Sequence, residues 1–286
     1  MMKRIFEFLI HSNLLISIAA VSLTLQTQLL FDVNSGLHPY LFIVFFATLF
    51  EYNLHRLFTL IFSKEALALE KHHWLNKHLK TFYVIMAVST IGFVTAAFNA
   101  KPSVLEGLAP LAVLTLFYSI PFIRLKNKLY KLRDIPFFKT FLIALIWSVS
   151  TVMLPIWQSE LNPNKLELFY LLTERFLFVF AICIPFDIRD IESDRSSGLK
   201  TFPMIMGEKK SYNVAMICMA AILPIAVLHY LHRPEILIPM IISILFGLYI
   251  LGSKTIRNVK NYHYGILDGS MIFQSLIVYI SYLIAF

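Results

Sequence analysis

Asp187-Ile-Arg-Asp190-Ile-Glu-Ser-Asp194-Arg-Ser-Ser-Gly198-Leu-Lys200-Thr201 follows directly on an apolar run from Phe169 to Phe186. Acids at positions 187, 190 and 194 are spaced three and four apart, so a helix continued through them presents all three on one face. Carboxylates crowded at the end of a membrane span are costly unless a cation shares them. Oxygen donors in that number suit Mg²⁺, which commonly bridges protein carboxylates to phosphate oxygens. Gly198 allows the backbone to turn after the acids, and Lys200 then offers a charge to a phosphate.

The rest of the chain agrees with a membrane setting. Of its 286 residues, 58% are hydrophobic and only 15% are charged, and the mean hydropathy is +0.72. That composition is too apolar for a soluble globule of this size and indicates a polytopic, all-α integral membrane protein. The net charge of +8 is spread over loops rather than gathered on one face, which argues for membrane topology and against nucleic acid as a partner. Cys183 and Cys218 sit inside apolar runs, without metal spacing or a disulfide framework.

Nine apolar spans are expected, at roughly 5–31, 38–62, 79–99, 102–121, 135–157, 166–186, 210–231, 235–252 and 265–286. The first follows Lys3 and Arg4; it is too long for a signal peptide and has no clear cleavage site, so it is read as a span. Of the 25 Lys and Arg, 19 fall before the first span and in every second loop after it, while the opposite loops offer only Lys101, Lys165 and Arg233. The positive-inside rule then places the N-terminus and the acidic loop in the cytoplasm and the C-terminus opposite. No loop has room for a soluble domain, so residues 1–286 read as one transmembrane domain. Pro110, Pro155, Pro185, Pro224 and Pro239 fall inside expected spans, where proline can kink a helix.

The acids at 187, 190 and 194, with Gly198, Lys200, Thr201, Pro203 and Gly207, resemble the second Asp-rich motif of UbiA-type intramembrane prenyltransferases. Tyr118-Ser-Ile-Pro121-Phe-Ile-Arg124-Leu-Lys126 is similar to the Tyr-Ser-x-Pro-x-x-Arg-x-Lys segment of that family. Pro136-Phe-Phe-Lys139, leading to Trp147, resembles its fifth span. The resemblance runs from about residue 38 to 270 and implies a nine-helix bundle in a bacterial inner membrane. It implies Mg²⁺-dependent transfer of a prenyl chain from a prenyl diphosphate to a lipophilic, aromatic acceptor. Asp187, Asp190 and Asp194 are then the metal ligands, and Tyr118, Arg124, Lys126, Lys139 and Lys200 contact the diphosphate.

The second span departs from the family pattern, which runs Asn-Asp-x-x-Asp. Here the segment reads Glu51-Tyr52-Asn53-Leu54-His55-Arg56-Leu57, so leucines stand at both aspartate positions if Asn53 matches the family's asparagine. Asn53 is expected to complete the catalytic site, and His55 and Arg56 to place charge directly on the diphosphate, although Asn53 also suits a buried interhelical hydrogen bond. Asp268 either closes the polar rim of the site or caps the last helix. Glu174 and Arg175, in mid-span, could read an acceptor's polar group or pair with a neighbouring helix, and are read as structural. His72 and His73 are adjacent, a poor spacing for a metal pair. Two other functions fit the same residues: terpene cyclisation without an acceptor, and a non-catalytic lipid-binding protein or transporter.

Overall fold

The structure is a computed structural model that describes residues 2–33, 36–62, 78–119, 123–125, 128–130, 132, 135, 137–196 and 200–285. Lys126, His72, His73 and Gly198 lie outside these residues, and at Arg124 only the backbone is described.

A helix forms on every expected apolar stretch. Helix α1 (Met2–His11) and α2 (Leu14–Leu30) meet at 75° across Ser12 and Asn13. They are followed by α3 (Pro39–Phe62), α4 (Leu79–Phe98) and α5 (Pro102–Ser119). Then come α6 (Phe138–Ser159) and α7 (Lys165–Arg189), with two short helices, α8 (Ile191–Ser196) and α9 (Phe202–Met206). Helices α10 (Glu208–Tyr230), α11 (Pro234–Gly252) and α12 (Lys254–Arg257) lead to a π-helical turn, Tyr262–Leu267, that runs into α13 (Asp268–Ala285). All five mid-span prolines lie within helices, as expected.

Among the described residues, six helices are long and apolar enough to cross a membrane, or seven if the bent α1–α2 pair is one span. The expectation of nine crossings goes beyond that number: α5 is shorter, and polar residues between Glu51 and Arg56 interrupt α3. A second departure lies between α5 and α6. Ile123–Leu125 (β1) and Lys128–Tyr130 (β2) pair antiparallel there, where a plain loop was expected. Among the described residues the remaining regular structure is all helical, and the protein is an integral membrane protein.

Helices α2, α13, α11, α10, α7 and α6 form a closed ring of neighbours, with α3 beside α2 and α6, α4 on α3, and α5 on α6. The outer helices turn apolar side chains outward; α4 exposes Tyr83, Val84, Val88, Ile91 and Val94. Lipid tails are as apolar as these side chains, so helix association rests on close packing, which small residues permit. A Cβ on Gly92 would stand 2.5 Å from the Phe46 ring, and one on Gly107 2.5 Å from the Trp157 ring. These glycines let α4 approach α3 and α5 approach α6.

Glu174 and Arg175 behave as the structural pair expected. Glu174 accepts from Tyr230 Oη at 3.1 Å and lies 3.1 Å from His229 Nδ1, while Arg175 donates to Thr27 Oγ1 at 3.4 Å. They cross-link α7 to α10 and α2, a third of the way along α7 from its Asn164 cap.

Candidate active site

The acids gather where α7 ends. Asp187 sits in its last turn, 4% exposed, and the helix closes at Arg189 with Asp190 as its cap. Helix α8 then restarts at Ile191 and carries Asp194, 7% exposed. The single continued helix expected from the spacing is thus interrupted at Asp190, and the three acids separate into two sets.

The first set is built with α6. Phe137, in the left-handed region at φ 65°, turns the chain into this helix and puts Lys139 and Thr140 in its first turn. Lys139 Nζ lies 2.9 Å from Asp187 Oδ1 and 2.9 Å from Asp194 Oδ2. Thr140 donates its hydroxyl to the other oxygen of Asp187. Burial pushes the Asp194 carboxyl above the ordinary carboxylate range, against the pull of the Lys139 ammonium. Lys139, expected to meet phosphate, is committed here to the carboxylates.

The second set is Asp190 with Arg189. The guanidinium grips the carboxylate in a fork, Nε to Oδ1 at 2.7 Å and Nη2 to Oδ2 at 2.9 Å. It lies over two rings, 5.1 Å from the centre of Phe186 and 4.7 Å from that of Tyr264 in the π-helical turn. Its third nitrogen, Nη1, is buried and has no hydrogen-bond partner among the described residues. Asp268, 6% exposed at the start of α13, lies within electrostatic reach of Arg189 and Tyr52. It lies buried beside the acidic end of α7, where the π-helical turn passes into α13.

The segment on α3 is used differently. Tyr52 meets the edge of Trp147 with ring centres 6.4 Å apart, and His55 faces Tyr118 at 6.3 Å. Tyr118 lies within electrostatic reach of Lys139. These side chains join the acid end of the bundle. Asn53 and Arg56 turn instead to the α1–α2 corner. Asn53 donates to the carbonyls of Ser12 (3.1 Å) and Leu49 (2.7 Å) and accepts from Asn13 Nδ2 (3.0 Å). Arg56 donates to the His11 carbonyl and, at 2.8 Å, to Asn13 Oδ1. Both amide hydrogens of Asn53 are therefore engaged within the protein, which is the interhelical role rather than the catalytic one expected of it. Lys200 is exposed at the entry to α9.

Among the described residues, no three His, Cys, Asp or Glu side chains converge as a metal cluster. Asp187, Asp190 and Asp194 therefore do not meet at a point, because Lys139 stands between two of them and Arg189 turns the third aside. The donor chemistry still fits Mg²⁺. The donors are oxygen-only, and two carboxylates already share one cation, an arrangement Mg²⁺ can enter with phosphate oxygens and water completing its shell. Sequence reasoning missed Thr140, Tyr52 and Tyr264. Adjacency to Lys139 marked Thr140, while Tyr264 is reached only through the fold.

Seven solved structures match this chain. It is similar to a digeranylgeranylglyceryl phosphate synthase, at 16% identity over 99% of this chain and 98% of that one, with a TM-score of 0.56. A UbiA homologue from Archaeoglobus fulgidus, solved with GPP and Mg²⁺, matches at 15% identity over 94% and 99%, with a TM-score of 0.61. An apo UbiA homologue from Aeropyrum pernix K1 matches at 14% identity over 94% and 97%, with a TM-score of 0.62. At these identities the likeness establishes the fold. No curated protein sequence matches. The model of the UbiA prenyltransferase family matches residues 75–263, two thirds of the chain and including every acid of the site at the end of α7. The chain belongs to the UbiA prenyltransferase family.

Proposed function

We propose that this protein transfers a prenyl group from a prenyl diphosphate to a lipophilic, aromatic acceptor within a bacterial inner membrane, with the acid end of the bundle facing the cytoplasm. The observation that carries the proposal is the charge balance of the site. Three carboxylates, Asp187, Asp190 and Asp194, are met by two paired cations, Lys139 and Arg189. A diphosphate entering such a site needs positive charge that these paired residues do not supply, which is the requirement a divalent cation meets.

Asp187 and Asp194 would hold Mg²⁺, with Asp190 once released from its fork. An ion held there would supply the positive charge that offsets the diphosphate's as the leaving group departs. The electron pair of the allylic C–O bond leaves with pyrophosphate, a pair from the acceptor forms the new bond to the prenyl carbon, and the acceptor gives up a proton. Lys139, freed as its carboxylates are neutralised, can turn its ammonium to the leaving group, and the sequence pattern assigns Arg124, Lys126 and Lys200 to the diphosphate as well. Tyr118, His55, Tyr52, Trp147 and Asp268 are assigned to the walls around that charge. A homologue of the same fold solved with GPP and Mg²⁺ supports a prenyl diphosphate and Mg²⁺ as the groups bound.

Membranes containing the protein are expected to attach labelled farnesyl or geranylgeranyl diphosphate to a component of a lipid extract. Removal of Mg²⁺ with a chelator should lower the yield by at least about 100-fold, and restored Mg²⁺ should recover it. A labelled hydrocarbon formed equally well without any extract would identify cyclisation instead.

A further inference from the structure

Helix α1 stops at His11, and a helix that stops leaves its last carbonyls without partners. Here those of His11 and Ser12 are met from another helix, by Arg56 and Asn53 of α3. Asn13 sits at φ 64°, in the left-handed region that asparagine tolerates, and closes the ring by accepting from Arg56 and donating to Asn53. All three side chains are buried, at 5%, 1% and 8% exposure for Asn13, Asn53 and Arg56. A cation at the C-terminal end of a helix is also favoured by the helix dipole.

The middle of α1 touches the wall of the site. The Phe6 ring lies against Gly265, where a Cβ would stand 3.2 Å from it. Gly265 belongs to the π-helical turn, and its neighbour Tyr264 lies over the guanidinium that grips Asp190. Arg56 is within electrostatic reach of both Tyr264 and Arg189. π-helical turns are frequent at functional sites, where they aim side chains that a regular helix would turn away.

We infer that Asn13, Asn53 and Arg56 form a clasp that seats α1 against Gly265 and, through Tyr264 and Arg189, positions Asp190. They are positioning residues, Asn53 and Arg56 on α3 and Asn13 at the corner between α1 and α2. This role rests on the assignment of Asp190 to the diphosphate site.

The test is a double-mutant cycle with a structural readout beside it. Asn13→Gly removes the side chain but keeps a residue that adopts the left-handed backbone freely. Arg56→Gln removes the guanidinium. Each variant is expected to weaken Mg²⁺-dependent binding of geranyl diphosphate by about tenfold, and the double variant by no more than either alone. A photoreactive benzophenone residue in place of Phe6 should cross-link to the peptide containing Gly265 in the parent protein and lose that product in both variants. If Arg56→Gln weakens binding while Asn13→Gly keeps both binding and cross-link, Arg56 contacts the diphosphate directly and the clasp is wrong. If the parent binds no geranyl diphosphate, the functional proposal fails; the cross-link then decides the clasp alone, and its survival in both variants overturns it.

Discussion

Asp194→Asn is expected to lower prenyl transfer by about 100- to 1,000-fold while leaving the protein folded. The substitution keeps the size of the side chain and an oxygen for Lys139, but it removes the negative charge that would bind Mg²⁺. Asp194 is on the short helix α8 and only one of its oxygens, Oδ2, meets Lys139. The helix ring is held elsewhere, so the thermal midpoint of the purified protein should stay within a few degrees of the parent. Asp190→Ala should lose activity to a similar degree. Full activity in both variants, measured with labelled prenyl diphosphate and acceptor, would remove the acids from the mechanism.

Lys139→Ala is expected to cost stability as well as activity. The ammonium is the shared partner of two buried carboxylates, with side-chain exposure of 17% against 5% for Asp187 and 11% for Asp194. Removing one member of a buried ion pair strands the other charge, at a cost of about 3–5 kcal/mol. Two stranded carboxylates repel each other, and protonation relieves them, so the loss should be greatest above the ordinary carboxylate range and shrink as pH falls. The comparison is a thermal unfolding series in detergent at several pH values. Replacing all three together, Lys139→Met with Asp187→Leu and Asp194→Leu, should recover most of the stability and none of the activity. A single Lys139→Ala as stable as the parent at neutral pH would show that the ammonium does not bridge the two acids.

The acidic segment and the apolar stretches were legible because both are local. Apolar runs of about 20 residues find helices without knowledge of their neighbours. Lys139 was placed at the site, but its partner could not be read, since Asp187 and Asp194 are 48 and 55 positions further along. The break at Asp190 is a matter of one residue's backbone, which spacing alone does not disclose. Asn53 and Arg56 show the same limit. As a polar cluster at the end of a span they read equally well as ligand or as link, and only the carbonyls they meet at the α1–α2 corner decide between these.

The most direct test of the account is equilibrium binding of labelled geranyl diphosphate to the purified protein with and without Mg²⁺, beside the Asp187→Asn/Asp194→Asn variant. The account predicts tight binding only with Mg²⁺ in the parent and weak binding in the variant at any Mg²⁺ concentration. Equal binding with and without Mg²⁺, unchanged in the variant, would contradict it and identify the protein as a lipid binder or transporter.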